Sequence, residues 1–214
     1  LGCASLAGAE TAQEFLDRNE AKSLEIKSWE IVSELHMKSP QAEVTTTSTT
    51  ESKRAPEGLK TVSIGQTTIS APNQPRTVSE IKMVSDGKTT FTETKSNGKV
   101  QVTKSLTPAD QTGYGTVRAG LQNGGKPTIK PAEDINGEKC GVLEITFGEG
   151  PQVITYTYWV TEKSGLLAKM ASKSAAYGES TLTVKSLKTD IDIPDTKFQY
   201  TPPENIAVQD MTAP

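Results

Sequence analysis

The residues that could act as a nucleophile, a base or a metal ligand are few in this chain. His36 is the only histidine, and its alternation with Glu34 and Lys38 is typical of the solvated face of a strand. A catalytic or metal-binding histidine needs converging partners, and one histidine with Cys140 cannot supply a zinc-binding set. We therefore expect His36 at the surface, Cys140 as a small, partly buried core residue, and neither a metal nor another cofactor.

Two further groups resemble catalytic patterns only superficially. Asp190, Asp192 and Asp195 surround Pro194, and paired carboxylates act in glycoside hydrolysis only when they are fixed across a cleft. We interpret them as turn residues. The glycine-rich stretch 119–125 lacks the Lys-Ser/Thr ending of a phosphate-binding loop. The sequence therefore predicts a protein that is not an enzyme.

The composition favours strands that have one solvated face. Hydrophobic residues make up 34% of the chain and aromatic residues 5%, and Thr, Ser and Lys are interleaved with Val and Ile. The net charge is −3 with both signs intermixed, and no basic patch carries the aromatic residues of a nucleic-acid surface. We expect no nucleic-acid partner and a monomer.

The first ten residues suggest export from the cytoplasm, by one of two routes. Leu1-Gly2-Cys3 resembles the end of a bacterial lipobox, which would make Cys3 a lipidated residue. The stretch 7–9, Ala-Gly-Ala, instead fits the small residues that precede ordinary signal-peptidase cleavage. A third interpretation is that these residues carry no signal. We expect a periplasmic protein, anchored to the outer membrane if Cys3 is lipidated, with residues 1–10 as the export remnant or lipoprotein N-terminus.

The remaining chain predicts one helix followed by strands. Thr11 and Glu14 form a capping-box pattern at the start of a helix over 11–22, and Ala12, Phe15 and Leu16 share one apolar face of it. From residue 26 the period changes to two. Further alternating segments, separated by turn residues, are predicted as strands over 26–38, 42–52, 60–70, 77–85, 89–95, 99–105, 141–147, 152–161, 166–172 and 181–190.

The turns between these strands indicate an antiparallel meander. Asp86-Gly87 and Asn97-Gly98 are dipeptides preferred where two central residues need positive φ. The segment 107–131 has little periodicity, and we interpret it as an irregular flap. The predicted fold is mainly β with α: a strongly curved antiparallel sheet or unclosed β-barrel, with an N-terminal helix and a helix or loop lid, over a single domain of residues 11–214.

Three stretches of sequence carry a resemblance to a known family. They are 133–139 (EDINGEK), 158–169 with its Lys-Ser-Gly-Leu turn, and 193–203, which ends in two prolines. Over about 12–211 the chain resembles the LolA-type periplasmic carriers of outer-membrane lipoproteins and their lipid-binding relatives. The resemblance implies an unclosed β-barrel with a helical lid, whose concave face holds acyl chains.

Together, the alternation and the resemblance predict a non-catalytic, acyl-binding cavity. An apolar wall can hold an acyl chain without charged anchors, since burial stabilises by about 0.8 kcal/mol per CH₂. The predicted function is that of a carrier or receptor for lipids or lipoproteins. The alternative is an interaction or lipoprotein-sensing domain that binds an envelope protein. The residues predicted to line the cavity are Trp29, Ile31, Leu35, Met37, Ile81, Met83, Leu143, Ile145, Phe147 and Trp159.

Overall fold

The computed structural model describes residues 10–107 and 113–212, and its strands form one twelve-stranded sheet. Neighbouring strands are antiparallel except for β12, which is parallel to β6. The order across the sheet is β12-β6-β5-β4-β3-β2-β1-β11-β10-β9-β8-β7. The elements are α1 (Ala12–Glu25), β1 (Ser28–Lys38), β2 (Glu43–Ala55), β3 (Gly58–Ser70), β4 (Thr77–Ser85), β5 (Thr89–Ser96), β6 (Lys99–Leu106), α2 (Tyr114–Gln122), β7 (Lys126–Ile135), β8 (Glu138–Phe147), β9 (Ile154–Thr161), β10 (Leu167–Ser174), β11 (Gly178–Thr189) and β12 (Val208–Asp210).

The sheet is curled but not closed, because β7 and β12 lie at its two ends and do not pair with each other. The predicted class, a mainly β protein with an unclosed barrel and an N-terminal helix, is therefore confirmed. Every hairpin predicted from the turn residues is present. Seven of the ten predicted strands run longer than the sequence pattern suggested, since ladder hydrogen bonds continue after the apolar alternation fades, whereas β1 and β9 each begin two residues later than predicted.

Helix α1 begins with the predicted capping box. Thr11 Oγ1 accepts a hydrogen bond from the Glu14 amide at 3.2 Å, and Glu14 Oε2 accepts one from the Thr11 amide at 2.8 Å. The helix continues to Glu25, three residues beyond the prediction. Its last turn is supported from the sheet, because Arg54 on β2 donates to the carbonyls of Ser23 and Ile26. That stabilisation depends on the tertiary fold and leaves no local sequence signal.

The tight turns follow the prediction at one of its two sites. Asn97 and Gly98 both have positive φ, at 51° and 73°. At Asp86-Gly87 only the glycine has positive φ, at 96°. The Asp86 carboxylate instead accepts hydrogen bonds from the amides of Lys88 and Thr89, each at 2.8 Å. A turn that is stabilised by the Asp86 side chain therefore replaces the predicted two-residue turn.

The segment 107–131 is not the predicted irregular flap where the structure describes it. Residues 114–122 form α2 and residues 126–135 form β7, whereas 108–112 lie outside the described residues. Helix α2 has no side-chain cap, and β7 contains Pro127 and Pro131. Prolines are tolerated in β7 because it is an edge strand. Both elements thus lack the local signals from which a helix or strand is usually recognised.

The sheet has two faces with different coverings. We call the face that carries α1 and α2 the inner face, and the opposite one the outer face. Residues 191–212, the C-terminal segment, pack on the outer face of the strands between β2 and β6. Ile193 and Phe198 join Val62 and Val84 in a buried cluster, and the Tyr200 ring stacks on a sheet residue, Phe91, at 5.1 Å between centroids.

We expect acid to loosen the C-terminal segment through Glu93 on β5. Tyr200 Oη donates to Glu93 Oε2 at 2.6 Å, and this bond holds the pKa of Glu93 below its usual 4.5. A lowered folded pKa stabilises the protein fully above pH 4.5, and this contribution is lost as pH falls through the folded value. Urea unfolding of the Tyr200→Phe variant should therefore depend less on pH below 4.5. An unchanged pH profile in that variant would contradict this role of the bond.

Candidate functional site

An apolar pocket of about 240 Å³ lies between the two helices and the inner face of β8–β10. The centre of its floor is a row of directly paired residues, Leu143 on β8, Tyr158 on β9 and Met170 on β10. Phe15 and Leu16 of α1 and Val117 of α2 line its other sides. Among the described residues, the lining consists of Phe15, Leu16, Gly113, Tyr114, Thr116, Val117, Leu143, Tyr158, Val160, Gly165, Leu166, Leu167 and Met170, and none of these side chains is charged.

Helix α1 approaches the sheet closely because β8 carries a glycine beneath it. A Cβ on Gly141 would lie 2.7 Å from Cε2 of the Phe15 ring, so the ring occupies the space that a side chain would fill. Phe15 and Leu16 are each 1% exposed and form a core with Leu143, Ile145 and the helix α2 residue Tyr114. The predicted apolar face of α1 therefore forms a wall of the pocket.

Glycines also allow helix α2 to pack closely against β8. A Cβ on Gly125, which follows the helix, would lie 2.6 Å from Cγ2 of Ile145. A Cβ on Gly120 would lie 3.1 Å from the Phe147 ring. These glycines, which the sequence pattern assigned to a loop, allow a close approach of the helix to β8.

The β9–β10 turn closes one end of the pocket and is fixed by both helices. Gly165 has φ +67°, and a Cβ there would lie 2.0 Å from the Asn19 carbonyl oxygen on α1. Tyr114 Oη of α2 donates to the Gly165 carbonyl at 2.6 Å, and burial raises the pKa of Tyr114. The Lys22 ammonium of α1 donates to the Glu162 carbonyl. The turn, α1 and α2 thus form one connected unit around the pocket.

An ion-pair cluster joins the exposed sides of the two helices. Arg118 of α2 lies 2.7 Å from both Asp17 Oδ1 and Glu20 Oε2 of α1. The Arg118 side chain is 24% exposed and that of Asp17 is 58% exposed, so water and salt screen the pairs. The cluster therefore positions α2 more than it stabilises the whole fold.

The Arg118→Gln variant tests this positioning. We expect amide hydrogen exchange in α2 to become several-fold faster, because helix opening no longer has to break the pairs to Asp17 and Glu20. The midpoint of global urea unfolding should change little. High salt should accelerate exchange in the wild-type helix but not in the variant. Equal α2 exchange rates in both proteins at low salt would show that the cluster does not hold the helix.

Nine of the ten residues predicted for the cavity lie on the inner face. Leu143 lines the pocket, and Ile145 and Phe147 pack beside it under α2. The remaining six lie on β1 and β4, which are separate from the strands β8–β10 of the pocket: Trp29, Ile31, Leu35, Met37, Ile81 and Met83. The described pocket contains none of these six. Trp29 is 6% exposed and lies under the Arg54 guanidinium, whereas Met37 is 45% exposed.

Trp159 must be removed from the predicted set, because it faces outward. Its strand neighbours Tyr158 and Val160 line the pocket, and alternation places Trp159 on the opposite side. There its Nε1 donates to Glu133 Oε2 at 2.9 Å, and the Lys169 ammonium lies 4.4 Å from its ring centroid. On the outer face it packs with Cys140 and Val142 in another buried cluster, which Ile135 of the β7–β8 hairpin also contacts.

Several pocket residues were absent from the predicted set. Phe15 and Leu16 could have been included, since the apolar face of α1 was predicted to lie on the sheet. Once Trp159 is placed on the outer face, alternation puts Tyr158 and Val160 on the inner face, where they line the pocket. Tyr114 and Val117 had no signal, because the sequence does not identify α2 as a helix.

The polar residues considered for chemistry lie apart from one another. His36 Nε2 lies 2.7 Å from Glu34 Oε1 on the outer face, with half of its side chain exposed. Cys140 is fully buried, and burial raises the pKa of its thiol. Within residues 10–107 and 113–212, no three His, Cys, Asp or Glu side chains gather as a possible metal site. Neither described helix has the length and apolar character needed to cross a membrane.

No protein-family model matches the sequence, and no curated protein matches it. Among solved structures, the chain is similar to MucB, at 12% identity over 89% of this chain and 62% of MucB, with a TM-score of 0.50. The MucA/MucB complex of Pseudomonas aeruginosa gives 12% identity, coverage of 89% and 61%, and a TM-score of 0.51. Lipoprotein LppX of Mycobacterium tuberculosis gives 14% identity, coverage of 86% and 99%, and a TM-score of 0.47.

The chain spans about three fifths of the MucB chains that it matches. At such low identities the similarity concerns the fold alone. Together with the open sheet and its helices on the inner face, it confirms the predicted resemblance at that level. The chain therefore has the fold of an unclosed barrel, which it shares with MucB over 89% of its own residues.

Proposed function

We propose that this protein binds an acyl chain of a lipid or lipoprotein in the pocket beneath α1 and α2, without catalysing a reaction. The observation that carries the proposal is the lining itself. The described residues that surround this open apolar space come from two helices, three strands and the segments beside them, and none of them is charged. An acyl chain in this space would be stabilised by about 0.8 kcal/mol per buried CH₂.

The described pocket suits part of a chain more than a whole lipid. Its 240 Å³ lie slightly below the range of about 300–1,000 Å³ that is usual for small-molecule sites. The pocket row Leu143-Tyr158-Met170 continues through Leu182 on β11 to Leu35 on β1. A longer chain would extend along this row toward the predicted residues on β1.

A series of fatty acids of increasing length tests the proposal by displacement of a fluorescent fatty acid. We expect each added CH₂ to tighten binding about fourfold, the equivalent of about 0.8 kcal/mol, until the apolar row is filled. Longer chains should then gain little. Absence of any saturable displacement would remove the basis for an acyl-binding function.

The cellular role that we propose is that of a carrier or receptor in the bacterial envelope, in the periplasm. Cys3 lies outside the described residues, and its lipidation remains part of the proposal. If Cys3 carries lipid, the native precursor will yield a protein that partitions with membranes, and Cys3→Ser will release it. If the intact mass of the mature protein shows that its first residue is Glu10, Cys3 cannot be a lipid anchor.

A second candidate function is binding of an envelope protein, and one comparison favours it. MucB shares this fold and was solved in complex with MucA. By analogy, this chain would use its sheet or its helices to bind a protein partner. Pull-downs and the fatty-acid titration together separate the two functions: a partner captured by a protein that shows no saturable acyl binding supports the second.

A further inference from the structure

The inner face of β1–β5 differs chemically from the pocket beside it. Serine and threonine occupy most inner positions of β2–β5, and they continue the pocket row as Thr46, Thr67 and Ser79. The hydroxyls of Thr46 and Thr67 lie 2.9 Å apart and those of Thr50 and Ser63 lie 2.8 Å apart. Two further cross-strand pairs of hydroxyls lie 3.0 and 3.2 Å apart. We call this part of the inner face the hydroxyl surface.

Charge is almost absent from the hydroxyl surface. Within the described strands β1–β5, Arg54 is the only charged residue at an inner position. Its guanidinium is already occupied by the carbonyls of Ser23 and Ile26 and by the Trp29 ring. The outer positions of the same strands carry charges throughout: Glu30, Glu34, Lys38, Glu43, Glu51, Lys53, Lys60, Glu80, Lys82, Glu93 and Lys95.

This separation is not what a merely solvated face requires. Lysine and glutamate are tolerated wherever a strand faces water, as they are on the outer face here. A surface whose polar side chains, apart from Arg54, are all hydroxyls avoids the cost of desolvating charges when something covers it. Each hydroxyl provides one donor and two acceptor sites, so a hydroxyl pair keeps unused capacity for a third polar group.

We infer that the ligand is an amphiphile with an uncharged, hydroxyl-rich head group, of the kind found in a neutral glycolipid, and that this head group binds the hydroxyl surface. The inference rests on the proposed function, since the acyl part of the same molecule lies in the pocket. A head with both donors and acceptors matches such a surface. Within the described strands β1–β5, an anionic or cationic head would lose its hydration and find no free opposite charge at an inner position.

The test is displacement of the fluorescent fatty acid by three compounds with the same twelve-carbon chain, below their micelle concentrations. The compounds are dodecyl maltoside, tridecanoate and dodecyltrimethylammonium, each of which has twelve carbons besides its head group. We expect dodecyl maltoside to bind about tenfold more tightly than the charged compounds, because one or two net hydrogen bonds contribute on this scale. Equal binding of the three, or tighter binding of a charged one, would overturn the inference while leaving acyl binding intact.

A matched pair of variants locates the preference. Thr46→Val with Thr67→Val removes both members of one hydroxyl pair, which leaves no orphaned partner and should preserve the fold. The control is Thr47→Val with Thr49→Val, at outer positions of the same strand. The maltoside preference should fall about tenfold in the first variant and persist in the control. A preference that survives in the first variant, with an unchanged urea midpoint, would also overturn the inference. Failure of the fatty-acid probe to bind wild-type protein would instead reject the proposed function.

Discussion

Met170→Glu is expected to weaken binding of a fluorescent fatty acid by about 100-fold or more. Met170 lies on β10 in the row that forms the pocket floor, paired with Tyr158, and is only half buried. A carboxylate at this position would have to lose its hydration against the acyl chain, which costs several kcal/mol, and each 1.4 kcal/mol weakens binding tenfold. Fluorescence titration of the purified variant measures this loss directly.

Two controls separate the pocket from the fold. Met170→Leu keeps the apolar wall and should bind within a few-fold of wild type. Thr155→Glu places the same charge on the outer face of the neighbouring strand, opposite Lys173, and should bind normally. If Met170→Glu retains its urea midpoint and binds the fatty acid as tightly as wild type, the acyl chain does not lie in this pocket.

Phe15→Ala is expected to give the largest loss of stability. The ring is 1% exposed and packs into the space above Gly141. Its removal should lower the free energy of unfolding by about 3–5 kcal/mol, as for other buried aromatic residues. Acyl binding should fall as well, because Phe15 forms a wall of the pocket. Urea unfolding and fatty-acid titration measure the two effects.

Gly141→Ala provides the matching test from the other side of this contact. In wild type the added Cβ would lie 2.7 Å from the Phe15 ring, and overpacking of this kind costs about 1–3 kcal/mol. In the Phe15→Ala background the space is empty, so the same methyl should cost much less. Additive effects of the two substitutions on the free energy of unfolding would show that ring and glycine are not in contact.

The sequence predicted those parts of the fold that carry local signals. The capping box of α1, the alternation in β1 and the Asn97-Gly98 turn each have a mechanism that operates within a few residues. The same alternation identified which side chains of β1 and β8 lie on the inner face. These features were sufficient for the class of the fold and for one strand of the pocket floor.

The remaining features depend on contacts between distant parts of the chain. Helix α2 is held by Tyr114, by Arg118 and by glycines that allow close approach to β8, and none of these has a recognisable local pattern. The orientation of Trp159 depends on the β7–β8 hairpin that supplies Glu133. Alternation alone separates the two faces of β9 but does not identify the inner one.

Native mass spectrometry of the gently purified protein shows directly whether it binds a lipid. We expect a complex of the protein with one lipid, released by organic extraction and rebound as a single equivalent by the stripped protein. Met170→Glu should be isolated without it. Acyl binding would be contradicted by a protein that carries no lipid from its native host and takes up none when stripped protein is mixed with an extract of that host's envelope.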